Sequence, residues 1–123
     1  MGLAYFNGYV YVAEAGANRV VSVSVETGAR SVVAGSGEEG MTDGAAAAAS
    51  FSAPMALAVT KAGDIYVADY ANAAIRCIHL GEVTTVISDL DSDMIKSPTG
   101  LAVLGNRLYV SDGYLHHIYA VMP

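Results

Sequence analysis

The chain has 123 residues, 54% of them hydrophobic and 15% charged, which fits one domain and excludes an intrinsically disordered chain. Six basic residues stand against twelve acids, for a formal net charge of −6. Phosphate-backbone binding is therefore not expected, and no nucleic-acid partner is assigned. No basic, apolar leader opens the sequence, and no uncharged run approaches the roughly 20 residues that cross a bilayer. A membrane partner is not expected either. The lone Cys77 cannot form an intrachain disulfide, so the expected compartment is reducing and cytoplasmic.

Taken in chain order, alternation and turn signals predict strands at 3–6, 9–13, 20–25 and 30–34. Residues 35–52 form an insertion. Its stretch 43–50 carries the helical signal of an alanine run that Asp43 could cap, too short to be stable alone. Strands follow at 56–59, 64–68, 74–80 and 83–88, then at 100–104, 107–111 and 117–122. Asn7-Gly8, Thr27-Gly28, Ala62-Gly63-Asp64, Gly81-Glu82 and Gly105-Asn106 mark turns between them.

These elements repeat. Tyr9-Val10-Tyr11-Val12-Ala13-Glu14 aligns with Asp64-Ile65-Tyr66-Val67-Ala68-Asp69 and with Arg107-Leu108-Tyr109-Val110-Ser111-Asp112. Six residues past each acid stands Val20, Ile75 or Ile118. Upstream, Gly2-Leu3-Ala4-Tyr5, Ala56-Leu57-Ala58-Val59 and Gly100-Leu101-Ala102-Val103 correspond, with Pro54 and Pro98 before the second and third. The acids are 55 and 43 residues apart, and a spacing in the forties suits a four-stranded propeller blade. The insertion accounts for the longer interval.

The run Gly63-Asp64-Ile65-Tyr66-Val67-Ala68-Asp69-Tyr70-Ala71-Asn72-Ala73-Ala74-Ile75-Arg76-Cys77-Ile78 closely resembles the blade pattern of NHL-repeat β-propeller proteins. The insertion, from Ala34-Gly35-Ser36-Gly37 through Gly40-Met41-Thr42-Asp43-Gly44 to Ala49-Ser50-Phe51-Ser52-Ala53-Pro54, resembles a common NHL linker. Glu14 replaces the usual Asp, and Leu115 takes the place of Asn72. The resemblance implies an all-β fold of four-stranded antiparallel blades. Blade 1 covers about 1–53, blade 2 about 54–97, and a partial blade 3 about 98–123. Blades bury both faces against neighbours, and rings hold four to eight of them. An arc of three therefore needs completion, by a longer parent chain or by self-association of two copies into six blades.

The recurring acids Glu14, Asp69 and Asp112 admit two readings. They could ring a channel mouth and bind a cation, or they could accept backbone N–H bonds in their own turns. Recurrence in every unit favours the building role. Asp89-Leu90-Asp91-Ser92-Asp93 begins like a calcium loop, but Met94 and Gly100 stand where Gly and Glu are required. It reads as a solvated linker, as does Glu38-Glu39. His79, His116 and His117 form no ligand constellation, because neighbours in a strand point to opposite faces. Cys77 reads as a small buried hydrophobe with Arg76 on the opposite face. No Gly-x-Ser-x-Gly elbow exists. No catalytic residue, metal ligand or cofactor is assigned.

Tyr11, Tyr66 and Tyr109 are equivalent by repeat and are expected to pack between blades. Tyr70 and Tyr114 lie in the turn after the acid. With Leu115 and the insertion they should share one face, the candidate face for an unidentified protein partner. The favoured function is a non-catalytic interaction scaffold. The alternative is a ligand- or metal-binding propeller enzyme, lyase- or hydrolase-like, with its site near the ring axis. RNA binding is weaker, because Arg19, Arg30, Lys61, Arg76, Lys96 and Arg107 are scattered singly.

Overall fold

A computed structural model describes residues 2–90 and 92–121. Strands β1 (Gly2–Phe6), β2 (Tyr9–Glu14), β3 (Arg19–Ser24) and β4 (Arg30–Ala34) form one antiparallel meander. Strand β5 (Gly44–Ala45) lies in the insertion. A second meander comprises β6 (Pro54–Val59), β7 (Ile65–Asp69), β8 (Ala74–His79) and β9 (Glu82–Ser88). A third comprises β10 (Pro98–Leu104), β11 (Arg107–Asp112) and β12 (His117–Val121). The expected strand end at Met122, and Asp91 of the acidic linker, lie outside the described residues.

The first strands β1, β6 and β10 pack against one another, so the sheets fan outward from a shared inner edge. Register agrees with the repeat. The β6–β7 and β10–β11 ladders both shift just after the proline, at Pro54/Ala56 and Pro98/Gly100. The β3–β4 and β8–β9 ladders shift at Val20/Val21 and Ile75/Arg76, again at equivalent places. These irregularities are properties of the blade, as conserved-geometry bulges are.

Two apolar clusters lie between sheets. Ala13 and Val20 of the first sheet meet Leu57, Ile65, Val67 and Ile78 of the second. On the other side of the second sheet, Ala56, Tyr66, Ala68, Ile75 and Cys77 meet Leu108 and Val110 of the third. Side chains alternate across each strand, so one sheet supplies both layers. Tyr11 and Tyr66 fill these contacts as the repeat predicts. Tyr109 does not: it lies half-buried on the far face of the third sheet, where no described sheet covers it.

The helical expectation for 43–50 is corrected. Gly44 and Ala45 pair antiparallel with Val83 and Glu82, adding β5 to the outer edge of the second sheet. Only a single turn follows, with Ala48 and Ala49 donating to the Ala45 carbonyl. The unpaired edge of β9 offers backbone partners that so short an alanine run cannot supply to itself. Gly35 opens the insertion at φ 107, where a Cβ would fall 2.7 Å from the Arg19 Cβ. The β8–β9 turn is centred on Leu80 (φ 48) and Gly81 (φ 79), one residue earlier than the sequence suggested.

Candidate functional site

The turn joining second and third strands is built alike in every sheet. Four residues past the acid, Asn18, Ala73 and His116 adopt left-handed φ angles of 55°, 49° and 55°. This reverses the chain into the third strand. In the second sheet the short helical turn Tyr70–Asn72 fills the gap.

Asp69 is fully buried. Its Oδ1 accepts the Ser52 backbone N–H at 2.8 Å. Its Oδ2 accepts from Asn72 Nδ2 at 2.7 Å and from Arg76 Nη1 at 2.9 Å. Burial pushes its carboxyl above the usual carboxylate range, while these three donors pull the other way. Arg76 is fully buried as well. Its Nη1 also donates to the Ser50 carbonyl at 2.8 Å, and its Nη2 donates to the Thr42 carbonyl at 3.0 Å and to Asp43 Oδ1 at 2.7 Å. The guanidinium carbon lies 5.0 Å from the centroid of the Phe51 ring, within cation–π range. Asn72 Nδ2 donates to the Gly40 carbonyl at 2.8 Å, and Thr85 Oγ1 to Asp43 Oδ1 at 2.9 Å. The insertion is thus stapled to β7, β8 and β9 through one buried cation.

In the third sheet Asp112 holds the shorter incoming linker. Its Oδ2 accepts the Lys96 N–H at 2.8 Å and the Ser97 N–H at 3.1 Å. Its Oδ1 accepts the Tyr114 and Leu115 N–H groups at 3.1 and 3.0 Å. Burial would raise this carboxyl, but the four backbone donors outweigh it and hold it below the usual range. Tyr119 stands in the place of Arg76, seven residues past the acid, and its hydroxyl is buried without a hydrogen-bond partner. Burial, with Asp112 nearby, pushes that phenol up to about 12. Glu14 does neither job. Arg30 Nη2 donates to both its oxygens at 2.7 Å, and Arg19 Nε to Oε1 at 3.4 Å.

The acids are therefore latches and ion-pair partners, with their lone pairs turned to chain N–H groups and arginines. Among the described residues no group of three or more His, Cys, Asp or Glu could hold a metal ion. His79 pairs through Nδ1 with Asp64 on the surface. His117 packs edge-on against Tyr119 with ring centroids 5.6 Å apart, and His116 occupies the left-handed turn before β12. Cys77 is buried beside Tyr66, and burial pushes its thiol up, away from the nucleophilic thiolate.

Tyr70 is 38% exposed and Tyr114 69% exposed, and Leu115 is half-buried. The Tyr70 turn touches the insertion, since Ala71 donates to the Ser52 carbonyl at 3.0 Å. The Tyr114 turn touches the second linker, since Gly113 donates to the Ser97 carbonyl at 3.0 Å. These residues lie at the acid end of their sheets. Two open clefts of about 410 and 450 Å³ lie at the opposite end, lined at its hairpin turns by Gly63, Leu80 and Gly81 and by Lys61, Gly105 and Asn106 respectively. Sequence reasoning missed Arg76 as the central side chain. The signal available was Asp69, Asn72 and Arg76 at spacings of three and seven.

No helix among the described residues is long and apolar enough to cross a membrane. No protein with a curated description matches the sequence. Solved structures do. A structural genomics protein of unknown function from Bacteroides thetaiotaomicron superposes with a TM-score of 0.81 at 19% identity, over 91% of this chain and 32% of its own. An auxiliary nutrient binding protein from the same organism gives 0.79 at 18% identity, over 96% and 36%. A chain of the nidogen/laminin complex gives 0.73 at 13% identity, over 98% and 42%. The chain thus spans a third to two fifths of the length of these structures, and the likeness is one of fold. The family model of the Teneurin NHL domain matches residues 18–122, and with three repeat sheets and the acid latches of the second and third in place, the chain belongs to that NHL family.

Proposed function

We propose that the chain acts as a non-catalytic NHL-propeller segment, a protein-interaction scaffold whose contact face carries Tyr70, Tyr114 and Leu115. The observation that carries this reading is the exposure of Tyr70 and Tyr114 on adjacent, rigidly latched turns. An aromatic ring on a turn fixed by a buried carboxylate loses little freedom on binding. Such residues are frequent anchors of protein interfaces. The insertion lies against the Tyr70 turn and widens the same face.

The test is affinity capture with the wild-type chain and the Tyr70→Ala/Tyr114→Ala double variant, read by mass spectrometry. Both side chains project from turns whose latches use main-chain or neighbouring atoms, so the double variant should unfold at the wild-type temperature. The reading expects at least one stoichiometric protein partner to be captured by the wild type and lost from the variant. Equal capture by both would remove this face from consideration.

A further inference from the structure

The cleft of about 410 Å³ lies between the first and second sheets, both of them four-stranded meanders. Tyr11 pairs with Ser22, and Ser22 with Ser31. Alternation therefore puts Tyr9, Tyr11, Ser22 and Ser31 on the face whose Ala13 and Val20 pack against the second sheet. Leu3 and Tyr5 belong to the opposite face, so a neighbour stacked there leaves the cleft untouched. All four residues line the cleft, over a floor of Val33, Ile65 and Ile78. Gly63 and Gly81, without side chains, border its mouth.

Ser22 is only 9% exposed, yet its hydroxyl bonds to no protein group among the described residues. It is not sealed in either: the enclosed polar atoms without partners are Arg76 Nε and the Tyr119 hydroxyl. The Ser22 hydroxyl therefore opens on the cleft that the residue lines. Blade packing does not ask for it. Opposite the equivalent tyrosines, the place of Ser22 is taken by Cys77 in the second sheet and by Ala120 in the third. The place of Tyr9 is taken by Asp64 and Arg107. The first sheet alone has a hydroxyl where its copies are apolar or a thiol, and an uncharged ring where they are charged. A buried hydroxyl without a partner costs stability, which a bound acceptor or donor would restore.

We propose that this cleft is a binding site for a neutral saccharide, held by the hydroxyls of Tyr9, Tyr11, Ser22 and Ser31. Its volume lies in the range of small-ligand sites, roughly 300–1,000 Å³. No charged side chain lines it, so an ionic ligand would find no counter-charge, and the net charge of −6 further disfavours an anion. A purely aliphatic ligand would leave four hydroxyls unpaired. A sugar ring matches both features. Its hydroxyls donate and accept, as those of serine and tyrosine do. Its C–H face suits an apolar floor and the half-exposed Tyr9 ring. The site lies at the end of the sheets opposite Tyr70 and Tyr114, so it is a second site, separate from the proposed protein-contact face.

The test is saturation-transfer NMR on the full chain with methyl β-glucoside, methyl β-galactoside, methyl α-mannoside, N-acetylglucosamine, maltose and cellobiose, and with glucuronic acid as the charged comparator. At least one neutral sugar is expected to receive saturation and to titrate to a plateau, and glucuronic acid is not. Ser22→Ala should weaken that sugar about fivefold or more, the loss of one hydrogen bond. Tyr9→Phe and Ser31→Ala delete hydroxyls from exposed residues, so both keep the wild-type melting temperature and carry the test if Ser22→Ala does not fold. The Tyr70→Ala/Tyr114→Ala variant should bind the sugar as the wild type does. Saturation of none of the neutral sugars would overturn the proposal. So would glucuronic acid binding as well as they do, or a sugar whose affinity is unchanged by every hydroxyl deletion.

Discussion

The two junctions between sheets use the same acid and reach different electrostatic solutions. Between the first and second sheets, Asp69 shares its burial with Arg76, and the cation also grips an 18-residue stretch, 35–52. Between the second and third sheets, Asp112 accepts only backbone N–H groups, and Tyr119 stands where the arginine would be. One carboxyl is pushed up by burial and the other is held down by its donors. The difference follows from what each must hold. A short linker can be fixed by its own N–H groups, whereas the long insertion presents carbonyls at Thr42 and Ser50 that require a donor. Arginine supplies several donors from one planar group.

The largest effect should come from separating the buried pair. Arg76→Met leaves Asp69 buried without its counter-charge, and frees the Thr42, Ser50 and Asp43 acceptors; the expected loss in chemical unfolding is about 3–5 kcal/mol. Asp69→Asn should cost a comparable amount, since Arg76 is then the buried charge without its partner. Asp112→Ala removes no ion pair but strands backbone donors, and the expected loss is about 1–3 kcal/mol. Equal losses from Arg76→Met and Asp112→Ala would erase the distinction between the junctions.

Acid unfolding sharpens the same contrast. The Asp112 carboxyl is held below its unfolded value, so its contribution is complete above the ordinary carboxylate range and is lost as pH falls through the depressed value. Asp69 is shifted upward, so its titration contributes with the opposite sign, and stability from that source declines as pH rises through the raised value. Stability measured against pH should therefore lose part of its acid limb in Asp112→Ala. A limb unchanged from wild type would contradict the assignment.

Smaller effects mark the edges of the network. Asn72→Ala removes the bonds to Gly40 and Asp69 and should cost about 1 kcal/mol in the same unfolding assay. Leu80 sits almost fully exposed at φ 48 in a two-residue hairpin turn, a conformation that Asn adopts more easily. Leu80→Asn should raise the melting temperature slightly, and a lowered one would show that the exposed leucine makes a contact of its own.

The sheets were legible because their residues repeat in kind as well as in spacing. Tyr66 and Tyr11, or Leu57 and Leu101, occupy equivalent places, and alternation assigns each to a face. The role of the recurring acids was also legible for Asp112, whose turn resembles any other side-chain-capped turn. The staple was not. Arg76 lies in an apolar strand next to Cys77, and its partners Thr42, Asp43 and Ser50 are more than 25 residues away. The local spacing of Asp69, Asn72 and Arg76 hints at a shared bond network, but the carbonyls that complete it come from the distant insertion. Strand β5 was hidden for a related reason: Gly44 and Ala45 have no strand preference of their own and are fixed by the free edge of β9. Tyr70 and Tyr114 lie at the acid end of their sheets because a meander puts the turns between second and third strands there.

The most direct test of the junction account is residue-resolved amide hydrogen exchange on the wild type and Arg76→Met. The account predicts that protection falls at Gly35, Ser36, Gly40 and Ser50, whose N–H groups bond within the insertion, while Lys96 and Ser97 on the Asp112 latch exchange as before. Uniform loss across the chain, or an insertion as protected as in the wild type, would contradict it.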